Sequence, residues 1–168
     1  MPPPLAALHA ALAYEGAARE LVARLKYRNE RESLAWLGAA MAEQIRTDAH
    51  GGAVVTWAPT TAPRRRERGF DHAEALAAAV AADLRLSLVS ALGRLPGPPQ
   101  TGLPPSERRS NRGRFTALGP VSGDVILVDA VVTTGTTLAA AAEVLLAAGA
   151  SSVIGLVAAA TPLKRRSD

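Results

Sequence analysis

The chain has 168 residues, of which 48% are hydrophobic, and this length is sufficient for one domain with a buried core. It contains no cysteine, which excludes disulfides and thiolate metal sites, so we expect no zinc. Aromatic residues make up only 4%, which argues against a surface that stacks many bases. The net charge of +4 is almost entirely due to arginine, since the only lysines are Lys26 and Lys164, and it indicates an anionic partner. No apolar run reaches the roughly 20 residues of a membrane helix, so we expect a cytoplasmic protein without membrane insertion.

The first fifty residues contain apolar residues at the spacing of an α-helix. This spacing occurs in two stretches, which are Ala18, Leu21, Val22 and Leu25, and then Leu34, Leu37, Met41 and Ile45. Recurrence of this kind places the apolar side chains on one face of a helix. We therefore expect an N-terminal helical segment over residues 1–50, made of two amphipathic helices.

Residues 51–162 show the alternation of strands and helices that is typical of an α/β core. The predicted strands are Ala53–Ala58, Leu86–Val89, Val125–Val128 and Val153–Val157. One helix is expected to begin after Asp71, which forms a capping-box-like start with Glu74, and another covers Leu138–Ala148. Strand, helix and strand in this order form a βαβ unit, so we expect a mainly parallel sheet flanked by helices. The whole chain, 1–168, is predicted to be a single domain that ends in a basic tail over residues 163–168.

Arginines cluster in two segments that are predicted to be loops. The first cluster, at residues 64–68, follows the first strand of the core. The second, at residues 108–114, follows Pro96–Pro105, a stretch whose prolines and glycines exclude regular structure. A solvated basic loop, a phosphate site and a nucleic-acid contact all remain open for such clusters.

The segment from Asp129 to Thr137 carries the clearest functional pattern. A buried strand delivers Asp129 to the carboxyl edge of the sheet, where ligands of open α/β folds bind. The run Thr133-Thr-Gly-Thr-Thr137 then turns into a helix, and its backbone N–H groups, hydroxyls and helix dipole favour a phosphate. Gly135 would let the backbone approach the anion closely. The alternative is an ordinary turn in which Thr137 is the helix N-cap.

This segment resembles the PRPP-binding motif of type I phosphoribosyltransferases, and further pieces of the chain resemble the ComF family. Those pieces are Tyr14–Tyr27, Arg66–Phe70, Gln100–Leu103, Glu107–Arg108 and Asn111–Phe115. The resemblance implies a type I phosphoribosyltransferase-like fold that binds PRPP or a related ribose phosphate. It also implies transfer of the phosphoribosyl group with release of pyrophosphate, Mg²⁺ bound together with PRPP, and a link to competence, the uptake of single-stranded DNA.

The resemblance also assigns roles to individual positions. Asp129 should contact the ribose hydroxyls and act with Arg68 in catalysis, while the 5-phosphate should be cradled by Thr133, Thr134, Gly135, Thr136 and Thr137. A pyrophosphate loop is expected at Pro59–Gly69, with contacts from Pro59, Thr60, Arg64 and Arg68. A mobile loop over the reacting centre is expected at Gln100–Arg114, with Gln100, Arg108 and Arg112 as its candidate residues. No residue is expected to bind a metal directly.

The sequence departs from the family pattern at Ala130, where such motifs carry a second acidic residue. One ribose contact is therefore missing, which leaves open whether the chain is an active glycosyltransferase or binds PRPP without turnover, as a regulator would. The alternative from another class is a non-catalytic competence protein that binds single-stranded DNA along its arginine loops.

Overall fold

The computed structural model of the chain describes residues 4–16, 20, 31–46, 51–95 and 115–161. Its strands, in chain order, are β1 (Ala7–Ala13), β2 (Val54–Trp57), β3 (Ser87–Leu88), β4 (Leu92–Arg94), β5 (Phe115–Ala117), β6 (Gly123–Val132) and β7 (Ala150–Ala160). Its helices are α1 (Arg31–Glu43), α2 (Ala62–Arg68), α3 (His72–Leu84) and α4 (Thr136–Ala147). No helix in these ranges is long and apolar enough to cross a lipid bilayer.

Five strands form one parallel sheet in the spatial order β1-β7-β6-β2-β3. The strands β4 and β5 form a separate antiparallel pair, in which Arg94 lies opposite Phe115. Parallel neighbours need crossover connections. Here α2 and α3 connect β2 to β3, and α4 connects β6 to β7.

Different elements cover the two faces of the sheet. On one face α1 and α3 pack against Ile126 and Val128 of β6. On the other face α4 and the β4–β5 pair pack against Val125 and Leu127. The crossovers that leave β2 and β6 therefore run on opposite faces and toward opposite edges of the sheet. The point between these two strands is a topological switch point, where ligands of open α/β sheets bind.

The predicted fold class is confirmed, since the chain has an α/β fold with a mainly parallel sheet flanked by helices. The strands β2, β3, β6 and β7 and the helices α3 and α4 overlap the elements that the sequence predicts. The predicted start of α3 is also confirmed, because the Asp71 side chain accepts a hydrogen bond from the amide of Ala73 at 3.0 Å. This contact is the usual N-cap arrangement.

The prediction that residues 1–50 are helical is wrong at Ala7–Ala13. This stretch is the edge strand β1, parallel to β7. Its composition is rich in alanine, which favours helices, but pairing with a neighbouring strand overrides a weak local preference. The second predicted helix is confirmed as α1. The apolar residues of the first predicted helix, Ala18 to Leu25, lie outside the described residues.

The prediction of a loop over Pro59–Gly69 is also wrong in part, because α2 occupies most of it. Thr61 precedes the helix, Pro63 lies in its first turn, and Gly69 follows its last residue. Proline near the start and glycine after the end are typical of helix termini. The signal for this helix is therefore present in the sequence.

The helices α1 and α3 approach closely at Gly38. A Cβ atom built on Gly38 would overlap the Cβ of Ala79, so Gly38→Ala would force the two helices apart. Overpacking of this kind costs roughly 1–3 kcal/mol, against a gain of about 1 kcal/mol for alanine over glycine within a helix. We expect a net decrease in the free energy of unfolding, measured by urea denaturation. Gly119→Ala is the matched control, since a Cβ there meets nothing within 4 Å. A Gly38→Ala variant as stable as the parent would contradict this packing.

Candidate functional site

The cleft originates where the hydrogen-bond ladder between β2 and β6 ends. The amide of Ala58 donates to the carbonyl of Val128 at 3.0 Å. Alternate residues of a strand bond the same neighbour, so the next donor toward β6 would be the amide of Thr60. That amide donates instead to Asp71 Oδ2 at 2.7 Å, and the intervening Pro59 has no N–H to donate. The chain therefore leaves the sheet after Ala58, while β6 stays paired with β7 to its last residue.

The gap between the separated strands is a cleft of about 250 Å³ at the carboxyl edge of the sheet. It is lined by Ala58, Pro59, Thr60, Arg64, Asp71, His72, Ala73, Arg94, Asp129, Ala130, Val131 and Thr137. Predicted site residues from two separate segments, Pro59–Gly69 and Asp129–Thr137, thus meet in one cleft. They are Pro59, Thr60, Arg64, Asp129 and Thr137.

Asp129 lies on β6 directly after Val128, the last residue that pairs with β2, and its side chain is half-buried. Its Oδ1 atom accepts a hydrogen bond from the amide of Ala130 at 2.7 Å. This bond holds the carboxylate at the cleft and satisfies a strand amide at the place where β2 has turned away. A carboxylate accepts hydrogen bonds only, so it suits the hydroxyl groups of a sugar.

The turn from β6 into α4 places hydroxyl groups at the N-terminus of the helix. Gly135 is the N-cap, with a left-handed φ of 75° that glycine adopts without strain, so the alternative of Thr137 as N-cap is wrong. The hydroxyls of Thr134 and Thr136 hydrogen-bond to each other at 2.6 Å. Thr137 lines the cleft, whereas Thr133 to Thr136 form the turn beside it, with Thr133 and Thr134 exposed.

Asp71 does more than the sequence predicts for a helix cap. One carboxylate oxygen caps α3 through the amide of Ala73, and the other accepts from the amide of Thr60. The side chain is only 4% exposed, so both bonds are shielded from water. Asp71 therefore ties the loop after β2 to the start of α3. The capping pattern predicts the first contact, but the second depends on how α3 folds back onto the loop.

The arginines of the first cluster lie on α2 and contact different parts of the molecule. Arg64 lines the cleft. Arg65 forms an ion pair with Glu74 of α3, with 3.4 Å between its Nη2 nitrogen and the carboxylate Oε2. Arg68 is the last residue of α2, and its side chain lies outside the described residues, so its catalytic role stays a prediction.

Arg94, at the end of β4, is a residue of the cleft that the sequence analysis missed. Its guanidinium carbon lies 4.6 Å from the centroid of the Phe115 ring, and its Nη1 nitrogen donates to the carbonyl of Pro59 at 3.4 Å. Burial lowers the pKa of Arg94, Asp129 nearby raises it, and Arg64 lowers it; burial has the largest effect. Arginine nevertheless stays protonated at neutral pH. No local pattern marks this residue, because its place in the cleft depends on the antiparallel pairing of β4 with β5.

Ala130 and His72 form the wall of the cleft on the side of α3. Ala130 is partly buried and packs against the core cluster that contains Trp57 and Leu76. His72 is buried, and its ring lies 4.5 Å from that of Phe70 between centroids. At position 130 the chain therefore presents an apolar side chain to the cleft.

The predicted mobile loop, Gln100–Arg114, with its candidates Gln100, Arg108 and Arg112, lies outside the described residues. Its roles as a lid or as a nucleic-acid contact stay predictions. In the part of the chain that the structure describes, no group of three or more histidine or acidic side chains could hold a metal.

Comparison with models of protein families and with curated proteins gives no match. Among solved structures, the chain matches one titled "Structure of the allosteric regulatory enzyme of purine biosynthesis", with 19% identity and a TM-score of 0.47. The match covers 76% of this chain and 25% of that one, so the chain spans about a quarter of the length of that structure. A likeness of this strength assigns neither a family nor a ligand to the chain.

Asp71→Ala should destabilise the protein because it removes both the cap of α3 and the anchor of the loop. An N-cap contributes about 1 kcal/mol, and a hydrogen bond to a charged group roughly 1.5–3 kcal/mol, so we expect a loss of about 2–4 kcal/mol in the free energy of unfolding. Asp124→Ala is the control, because the exposed Asp124 accepts only from the Ser152 hydroxyl at 2.8 Å among the contacts described. Urea denaturation that gives the same small change for both variants would show that Asp71 does not anchor the loop.

Proposed function

We propose that the chain is a ComF-like protein with a phosphoribosyltransferase-type site that binds PRPP or a related ribose phosphate. The observation that carries the proposal is the convergence of Asp129, Thr137 and Arg64 on one cleft at the switch point of a parallel sheet. These residues come from two segments, and the family resemblance assigns Asp129 to the ribose, Thr137 to the phosphate and Arg64 to the pyrophosphate.

Three groups of the cleft each suit a different part of such a ligand. The N-terminus of α4 at Thr137 offers backbone N–H groups and the positive end of the helix dipole to a phosphate. The Asp129 carboxylate, which accepts a hydrogen bond from the amide of Ala130, can accept bonds from ribose hydroxyls. Arg64 adds a positive charge to the lining of the cleft.

If the chain is an enzyme, a nucleophile forms a bond to C1 of the ribose while the bond from C1 to the pyrophosphate oxygen breaks. The electron pair leaves with pyrophosphate, and positive charge develops on C1 and the ring oxygen. Asp129 would hold the ribose, and the arginine beside the Thr60 loop would stabilise the charge on the leaving group. The transfer is then largely a matter of positioning and electrostatics.

Mg²⁺ would bind at this site together with the ligand. Magnesium is commonly held by one or two carboxylates together with substrate phosphates, without a complete protein cage. The described residues supply Asp129 at the cleft, and both oxygens of Asp71 already accept backbone amides. When bound, the ion would neutralise phosphate charge, with Asp129 as the nearest carboxylate of the motif.

Binding of single-stranded DNA by a competence protein is the alternative, and it depends mainly on the arginines at residues 108–114. The cleft itself favours a small ligand, because its lining carries both signs of charge: two arginines, Arg64 and Arg94, and two aspartates, Asp71 and Asp129. A salt series separates the two functions. Binding to DNA weakens steeply with salt through counterion release, whereas a ribose phosphate should saturate one to one and depend on Mg²⁺.

Ribose 5-phosphate or PRPP, with Mg²⁺ present, should stabilise the parent protein. At a hundred times its Kd a ligand adds about 2.7 kcal/mol to the free energy of unfolding. Asp129→Ala should abolish this stabilisation, while Asp124→Ala, at the other end of the same strand, should retain it. The measurement is a thermal melt beside calorimetric titration. A parent protein that neither ligand stabilises would refute the proposed function.

Ala130→Asp tests the departure from the family motif. A carboxylate that reaches a ribose hydroxyl should tighten PRPP binding roughly 10- to 150-fold, because hydrogen bonds to charged groups are strong. The same change should lower stability, since Ala130 is partly buried against the core. We expect pyrophosphate release, measured across candidate acceptors, to appear or increase. Unchanged affinity and unchanged turnover would show that the ribose is not held as the motif implies.

A further inference from the structure

We propose that Arg94 is a specificity-determining residue, which binds a second anionic group of the ligand and makes the cleft prefer PRPP to ribose 5-phosphate. This assignment rests on the proposed function. It concerns a residue outside both the Asp129–Thr137 motif and the loop after β2.

The first observation is the environment of the guanidinium. Arg94 is half-buried, with one face against the Phe115 ring at 4.6 Å and one nitrogen on the Pro59 carbonyl at 3.4 Å. Among the described residues, no carboxylate forms an ion pair with it. Withdrawing a cation from water without a paired anion is costly. A cleft that holds one in this way is suited to a ligand that supplies the anion.

The second observation is that the guanidinium is held in place before any ligand arrives. The Phe115 ring covers one face of the guanidinium, and the Pro59 carbonyl accepts from one of its N–H groups. A guanidinium has five N–H donors in a fixed plane. The remaining donors can form paired bonds with two oxygens of one phosphate group. Little side-chain entropy is then lost on binding, because Phe115 and Pro59 already restrict the rotamers.

The third observation is the position of Arg94 relative to the rest of the cleft. It lies beside Pro59 and close enough to Arg64 for that charge to lower its pKa. Two positive charges therefore lie near each other in a cleft that Thr137, at the N-terminus of α4, also lines. Ribose 5-phosphate has one anionic group and can engage either the helix N-terminus or the arginines. PRPP has a diphosphate as well and can engage both.

The test compares the affinities of PRPP, ribose 5-phosphate and inorganic pyrophosphate, with Mg²⁺, by calorimetry. The parent should bind PRPP more tightly than ribose 5-phosphate. Arg94→Gln should weaken PRPP and pyrophosphate roughly 10- to 150-fold and leave ribose 5-phosphate unchanged. Arg94→Lys, which keeps the charge but loses the planar fork, should show a smaller loss of the same preference. Arg46→Gln removes an exposed arginine that pairs with Glu43 and Asp83, and it should change none of the three affinities.

Equal weakening of all three ligands by Arg94→Gln, or no weakening at all, would overturn the role of Arg94 and leave the proposed function intact. So would a parent that binds PRPP no more tightly than ribose 5-phosphate. If Arg94→Gln does not fold, the role of Arg94 is tested with Arg94→Lys, by the ratio of its affinities for PRPP and ribose 5-phosphate. A parent that fails to bind ribose 5-phosphate and PRPP alike would overturn the proposed function, and the role of Arg94 with it.

Discussion

Where the hydrogen-bond ladder between β2 and β6 ends, two aspartate carboxylates replace strand carbonyls as acceptors for backbone amides. Asp71 accepts a hydrogen bond from the amide of Thr60 at 2.7 Å, and Asp129 accepts one from the amide of Ala130 at 2.7 Å. The cleft depends on this exchange of acceptors. A buried amide without a partner costs about as much as a lost hydrogen bond. A sheet can therefore open between two central strands only where other acceptors replace the lost strand-to-strand hydrogen bonds. Here these acceptors are the carboxylates of Asp71 and Asp129, which also line the resulting cleft.

This exchange sets the electrostatic character of the site. The carboxylates of Asp71 and Asp129 accept hydrogen bonds from backbone amides, which hold both carboxylates at the cleft. Arg94 is held in the same cleft by the Pro59 carbonyl and the Phe115 ring. An arrangement of this kind is pre-organised, because the protein groups are fixed by one another before a ligand binds.

Position 130 belongs as much to the hydrophobic interior as to the cleft. The core packs directly behind Ala130, through the cluster of Trp57 and Leu76. Under the proposed function, an alanine here would affect two steps. Binding would lack one hydrogen bond to the ribose, and transfer would lack a group that keeps the ribose in reacting geometry, where small displacements lower rates strongly.

Much of the fold could be predicted because its signals are local. A continuous apolar run predicts β6, the capping residue Asp71 predicts the start of α3, and the βαβ order predicts a parallel sheet. The strand β1 could not be predicted in this way, because its alanine-rich sequence favours a helix and only β7 makes it a strand. The helix α2 could have been predicted from Pro63 and Gly69, but the run of arginines between them resembles a solvated loop.

The candidate chemistry at Asp129 and the Thr-Gly turn can be predicted from the sequence, since a strand end, an acid and a helix start are contiguous in the chain. The sequence also shows alanine at position 130, where the motif that it resembles has a second carboxylate. Two contacts could be found only in the folded chain: Asp71 anchors the loop at Thr60, and Arg94 lines the cleft beside Pro59. These contacts join residues that are 11 and 35 positions apart, and no local pattern encodes them. They form only when the crossovers of β2 and β6 pack on opposite faces of the sheet and bring the separate segments to one edge.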